Sequence, residues 1–244
     1  AGGGGEIKEG DVQWMTAGKG VQHSEMFPLI HADKENPMEL FQIWLNLPKK
    51  SKMVEPHFKM LWGESIPIIE SVGPNTEKTT IEIIAGRLNE MAAPIPPPDS
   101  WANADENHVG VFNIQLEPGA TFTLEKTEEG INRTLFYYEG DGLKINELII
   151  PHYHAADVES HKDLVIQNGE QIGKILVLQG RSINEPVVQH GPFVMNTRDE
   201  IKEAFEEYHA TQFGGWPLSN YDYVHDREKG RFALHSDGTE ELKS

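Results

Sequence analysis

The chain has 244 residues, 38% of them hydrophobic, and sets 39 acidic side chains against 21 basic ones for a formal net charge of −18. Such an acidic surface repels phosphate backbones and argues against direct nucleic-acid binding, while the absence of cysteine excludes disulfides, thiolate catalysis and sulfur-ligated metals. No apolar run reaches the ~18 residues that span a bilayer, and no basic-then-apolar leader stands at the start, so no membrane association is expected and the cytoplasm is the default expectation.

In chain order, the run from Ala1 to Gly5 passes at once into a strand-like pattern, as if the sequence begins inside a domain. Gly10-Asp11 signals a turn, Val12 and Trp14 follow with period two, Gly18 and Gly20 punctuate, and residues 21–26 read as a strand. Residues 39–47 give the clearest strand of this half. Phe41, Ile43, Leu45 and Leu47 share one face, with Gln42, Trp44 and Asn46 on the other. The polar stretch 71–78 reads as a linker or a hairpin. Five further strands are expected over residues 79–84, 109–116, 134–138, 143–150 and 172–179. The prolines between Pro94 and Pro98 remove backbone donors and predict an extended surface segment. One helix is well marked. Thr197 and Glu200 form a capping-box pattern, and Ile201, Ala204, Phe205 and Tyr208 make one apolar stripe that ends before Gly214-Gly215 and Pro217. The rest is polar, with Tyr221, Tyr223, Phe232 and Leu234 as anchors.

Many short strands with regular turns and one late helix predict an all-β architecture of two tandem barrels. The expected division is a partial barrel over residues 1–70, a linker over 71–78, a second barrel over 79–196, a helix over 197–217 and a surface tail over 218–244.

The stretch from Gly10 to Met26, Gly-Asp-Val-Gln-Trp-Met-Thr-Ala-Gly-Lys-Gly-Val-Gln-His-Ser-Glu-Met, resembles the second cupin motif of the pirin family. Glu-Pro-Val-Val-Gln-His-Gly-Pro-Phe-Val-Met-Asn-Thr, from Glu185 to Thr197, is similar to that family's late signature, and Leu45-Asn46-Leu47-Pro48 and Pro97-Pro98-Asp99-Ser100-Trp101 fit as well. The resemblance implies two cupin (jelly-roll) β-barrels, with Fe(II) in the first held by three histidines and a glutamate, and a second barrel without metal. It implies either quercetin 2,3-dioxygenase activity on a small aromatic substrate or a role as a protein-binding coregulator. The family's first two histidines lie in a His-Pro-His-Arg-Gly stretch ahead of this motif, and this sequence contains no such stretch. The resemblance therefore assigns only His23 and Glu25 as metal ligands, with Glu25 also as the catalytic proton acceptor. The first barrel is then expected to be incomplete at its N-terminus, its absent strands coming from a separate fragment, a neighbouring subunit or an upstream segment.

Taken as residues alone, His23 and Glu25 at i and i+2 on a strand emerge on one face. Such a nitrogen and oxygen set suits Fe(II) or another divalent transition metal such as manganese, nickel or copper, although two ligands alone hold a metal weakly. The plainer reading of His-x-Glu is exposed polar spacing. His152 and His154 repeat the His-x-His spacing of cupin sites but lack a companion carboxylate, which favours a polar pair at a strand end. His190 reads as a hydrogen-bonded turn residue, and Trp101 as a packing residue beside a turn-capping Asp99. Trp14, Met15, Met26, Phe41 and Trp44 could line an apolar pocket or pack a core. No phosphate-binding Gly-x-x-x-x-Gly-Lys loop and no Gly-x-Ser-x-Gly elbow occurs.

Overall fold

A computed structural model describes residues 10–27, 31–216, 225 and 229–243. The chain forms two compact units, one of residues 1–63, 97–101 and 183–244, the other of residues 64–96 and 102–182.

In the first unit, β1 (Val12–Thr16) pairs antiparallel with β2 (His57–Leu61), setting Val12 opposite Leu61 and Thr16 opposite His57. The Thr16 hydroxyl, buried at the end of β1, donates to the Pro98 carbonyl at 2.7 Å. Two expected strands are not seen among the described residues. Residues 21–26 hold only an isolated bridge at Met26, and residues 39–47 enter no ladder among the described residues. Alternation rewards a strand only when a neighbour takes its N–H and C=O groups. In the second segment Leu40 is 50% exposed and Trp44 57%.

The second unit is where alternation becomes a core. Its elements are β3 (Ile68–Val72), β4 (Lys78–Ala85), β5 (Arg87–Leu88), β6 (Met91–Ala92), β7 (Gly110–Leu116), β8 (Thr121–Leu124), β9 (Ile131–Glu139), β10 (Leu143–Ile145), β11 (Leu148–Ile150), β12 (His154–Glu159), β13 (Leu164–Asn168) and β14 (Gly173–Arg181). A six-stranded sheet in the order β12-β9-β14-β7-β4-β3 and a four-stranded sheet in the order β11-β10-β13-β8 share one core. On β4, Thr79, Ile81, Ile83 and Ala85 are buried while the residues between them are not. Ile114, Ile175, Leu124 and Ile166 have no exposed surface at all, and burying an aliphatic side chain of this size contributes about 1.5–3 kcal/mol. The stretch 71–78 is realised as a hairpin turn between β3 and β4, closed by the Gly73 N–H donating to Glu77 at 2.8 Å.

Tyr137 is the largest fully buried side chain of this core, and its hydroxyl accepts from the Gly142 N–H at 3.0 Å. Tyr137→Phe strands that donor. The variant is expected to lose about 1–3 kcal/mol in urea unfolding, and an unchanged midpoint would show that the hydroxyl is dispensable.

The chain returns to the first unit with a hairpin of β15 (Val188–His190) and β16 (Phe193–Met195), followed by helix α1 (Arg198–Thr211). The capping box is complete. Glu200 N–H donates to the Thr197 hydroxyl at 3.2 Å, and Glu200 Oε2 accepts from Thr197 N–H at 2.9 Å. The helix buries Ile201 and lays Phe205 edge-on against Phe193, with ring centroids 4.8 Å apart. Thr197→Ala is expected to cost about 1 kcal/mol, read from the thermal midpoint. Tyr221 and Tyr223 lie outside the described residues. Further on, Phe232, expected as an anchor, and Ala233 are buried in a hairpin of β17 (Arg231–Leu234) and β18 (Glu240–Lys243).

Candidate metal centre

His23 and Glu25 lie on the short segment that follows β1. After β1 the chain reverses at Gly18, whose φ is +51° and whose added Cβ would stand 2.2 Å from the Val54 carbonyl oxygen. Lys19 N–H donates to that same carbonyl at 2.9 Å. Beyond the turn, Gln22 is tied to the end of α1, its side-chain amide donating to the Gln212 carbonyl at 2.5 Å. The chain leading into the pair is thus held without a sheet.

Just beyond these anchors the His23 Nε2 and Glu25 Oε1 atoms approach to 3.9 Å, with side chains 31% and 27% exposed. The i, i+2 spacing brings them together although residues 21–26 are not a strand. Burial pushes the His23 imidazole below its ordinary pKa, and the Glu25 carboxylate, favouring the charged ring, offsets part of that shift. Partial burial therefore keeps a nitrogen lone pair available beside a carboxylate. Among the described residues, no third histidine, aspartate or glutamate joins them in a group able to hold a metal ion. These residues fit one half of a four-ligand set and do not close it.

The other candidates separate from this pair. His152 is exposed and its Nε2 contacts the Tyr138 carbonyl at 3.2 Å, while His154 Nδ1 contacts the His152 carbonyl at 3.0 Å. Both rings satisfy backbone carbonyls at the entry to β12. His190 packs edge-on against Phe205, ring centroids 5.6 Å apart. Of the aromatic residues read as pocket or core, Trp44 is exposed at 57%. In the second unit, a cleft of about 650 Å³ between β3 and β8 is lined by Ile69, Val72 and Phe122 together with Glu70 and Glu125, and carries no histidine.

In the first unit, sequence reasoning missed two carboxylate–imidazole pairs among the described residues. Asp99, at φ +62°, places its carboxylate 3.3 Å from His57 Nε2 and so ties the proline-rich segment to β2. His235 Nε2 meets Glu241 at 2.6 Å across the β17–β18 hairpin. Each pair joins residues with no shared motif, so the sequence holds no signal for the first. The second was legible only as an acid and a histidine flanking the Asp237-Gly238 turn.

Comparison with known proteins shows which family the chain resembles. The Pirin family model matches residues 1–45, and the Pirin C-terminal cupin domain matches residues 111–214. A Pseudomonas aeruginosa protein named "putative quercetin 2,3-dioxygenase" is 33% identical over 212 residues, covering 84% of this chain and 68% of that protein. Human pirin is 30% identical, covering 86% of this chain and 67% of its own length. A crystal structure of a quercetin 2,3-dioxygenase from Acinetobacter baumannii superposes with a TM-score of 0.65 at 26% identity, over 86% of this chain and 68% of that one. With its all-β cupin fold and single late helix, the chain belongs to the pirin family.

Proposed function

We propose that this chain serves the oxidative ring cleavage of flavonols such as quercetin, with His23 and Glu25 as two of the ligands to Fe(II) or a similar divalent ion. One observation carries the reading: an imidazole and a carboxylate brought to 3.9 Å, each partly shielded from water, on a segment pinned by Gly18 and Gln22. The family relationship to proteins named for quercetin dioxygenase supports it. The remaining ligands in this reading are two imidazoles from a further polypeptide segment, because the described residues supply none. A bound ion of this kind supplies Lewis acidity and a template for O₂ and substrate. The chain's own residues contribute an imidazole kept neutral by burial and, at Glu25, an acceptor for the proton of a flavonol hydroxyl.

Ring cleavage of this type releases carbon monoxide, which gives the test. Protein loaded anaerobically with Fe(II), then given quercetin and O₂, is expected to release carbon monoxide above a heat-killed control. Glu25→Gln is expected to lower the rate at least about 100-fold, the usual contribution of a positioned proton acceptor. No gas from the metal-loaded protein overturns the reading.

A second reading is favoured by the half-complete ligand set. The chain would then be a non-catalytic, metal-tuned module that contacts another protein. Capture of partners that are lost with Glu25→Ala supports it, and partners indifferent to that change and to metal count against it.

A further inference from the structure

In the second unit each sheet ends, among the described residues, on a strand paired on one side only, and these two edges line the same cleft. The six-stranded sheet ends on β3 and the four-stranded sheet on β8. The ladder of β3 with β4 is flanked by two fixed points. The Gly73 N–H donates to the Glu77 carbonyl at 2.8 Å, and the Ile83 N–H to the Pro67 carbonyl at 2.9 Å. Antiparallel bonding alternates between them, so Ile69 and Ser71 bond to Ile81 and Thr79. The N–H and C=O groups of Ile68, Glu70 and Val72 therefore point away from β4. On β8, the Asn168 N–H donates to the Ala120 carbonyl at 2.9 Å, and Phe122 lies opposite Ile166. By the same alternation, Thr121 and Thr123 turn their backbone groups away from β13. Among the described residues no other strand meets these positions from the open side.

The cleft between the edges has a volume of about 650 Å³, and its charged lining residues, Glu70 and Glu125, are both acids. Each is exposed. The Lys78 ammonium stands 3.8 Å from Glu70 with both side chains more than half exposed, a pairing weak enough to exchange.

We propose that the β3 edge takes up an extended peptide as a further strand of its sheet, and that this peptide carries a lysine or arginine beside Glu70. The inference is independent of the flavonol reading. A free edge offers main-chain hydrogen bonds to any extended segment, so the side chains select the occupant. Ile68 and Val72, exposed at 52% and 61%, share the face of Glu70 and flank its carboxylate. A strand laid along this edge therefore meets an acid on that face, which calls for a basic residue. Its other face turns toward the side of Ile69, where β-branched apolar residues suit the cleft. A second copy of this chain fits poorly. In the register that overlaps all of β3, an antiparallel copy sets Ile68 opposite Val72 but Glu70 opposite Glu70. The net charge of −18 adds the same preference at a distance, drawing in a cationic segment and repelling another copy.

The test is fluorescence anisotropy of the full chain at physiological salt with the fluorescein-labelled peptide Ser-Val-Lys-Val-Thr-Val-Lys-Ser. Saturable binding is expected, at least about tenfold tighter than that of a control of equal charge whose threonine and last valine are prolines, which cannot complete a ladder. Glu70→Lys is expected to weaken binding at least about tenfold by setting like charges together. Val72→Pro removes an N–H that β4 does not use, so it is expected to weaken binding by a similar factor with an unchanged circular dichroism spectrum. Where that variant fails to fold, Glu70→Lys decides. Absence of saturable binding overturns the proposal, as does equal binding of the two peptides, which is charge attraction alone. Binding indifferent to both substitutions, or self-association through β3 seen by sedimentation, also overturns it.

Discussion

Arg231→Ala is expected to lower the stability of the first unit by about 3–5 kcal/mol, the cost of leaving one member of a buried ion pair without its partner. The Arg231 side chain is 9% exposed and that of Asp11 is fully buried. The guanidinium engages the carboxylate through two nitrogens, Nε donating to Asp11 Oδ2 at 2.9 Å and the other to Oδ1. Asp11 Oδ1 also accepts the Gly63 N–H at 2.8 Å, and the guanidinium carbon lies 5.3 Å from the centre of the Trp62 ring. Removing the arginine therefore takes two charge-assisted hydrogen bonds from a buried carboxylate. The double variant Asp11→Leu with Arg231→Met removes both charges and is expected to recover more than half of the loss, since a well-packed apolar pair often matches a buried ionic one. Urea unfolding of the three variants decides the matter. A loss below about 1 kcal/mol for Arg231→Ala would place this pair among the weak surface bridges.

How much of this was legible depends on whether a residue's neighbour lies nearby in sequence. The helix was read from Thr197, Glu200 and its apolar stripe because a helix satisfies its own backbone, and α1 begins where that capping box puts it. In the second unit the expected strand over residues 109–116 appears as β7 and that over 172–179 as β14, because each alternates cleanly against a core. The strand expected over 143–150 splits into β10 and β11 at Asn146, whose φ of +52° makes a turn that its asparagine tolerates. Strand β12, His-Ala-Ala-Asp-Val-Glu, was invisible because it sits at a sheet edge with weak strand formers. At residues 39–47 the alternation meets no ladder partner among the described residues. The pattern is strong, but pairing is a property of two segments and only one is described here. The site followed the same logic: i, i+2 spacing brought His23 and Glu25 together locally, while the Asp11–Arg231 and His57–Asp99 pairs depend on how distant strands meet.

Gly18→Ala and Gly86→Ala are expected to destabilise the protein alike, by about 2–3 kcal/mol each, and yet to differ at the His23–Glu25 pair. A left-handed backbone costs an alanine about 1–2 kcal/mol, and a hydrogen bond lost nearby adds about 1 kcal/mol. Gly18 has φ +51° with its added Cβ 2.2 Å from the Val54 carbonyl oxygen; Gly86 has φ +78° with its added Cβ 2.1 Å from that of Val109. Neither carbonyl is a flexible side-chain end, so in both cases backbone must move. Around Gly18 the backbone that moves is the turn leading to His23 and Glu25, pinned by the Lys19 N–H to Val54. Around Gly86 it is the joint between β4 and β5 in the second unit, closed by the Ala93 N–H donating to Gly86 at 2.8 Å. A displacement near 1 Å can cost about 100-fold where two groups must converge on one point. Gly18→Ala is therefore expected to shift the His23 ring resonances and weaken metal-loaded turnover at least about tenfold per folded molecule, while Gly86→Ala leaves both near wild type. Equal effects of the two substitutions on the His23 resonances would mean that the pair is positioned by the fold at large and not by its turn.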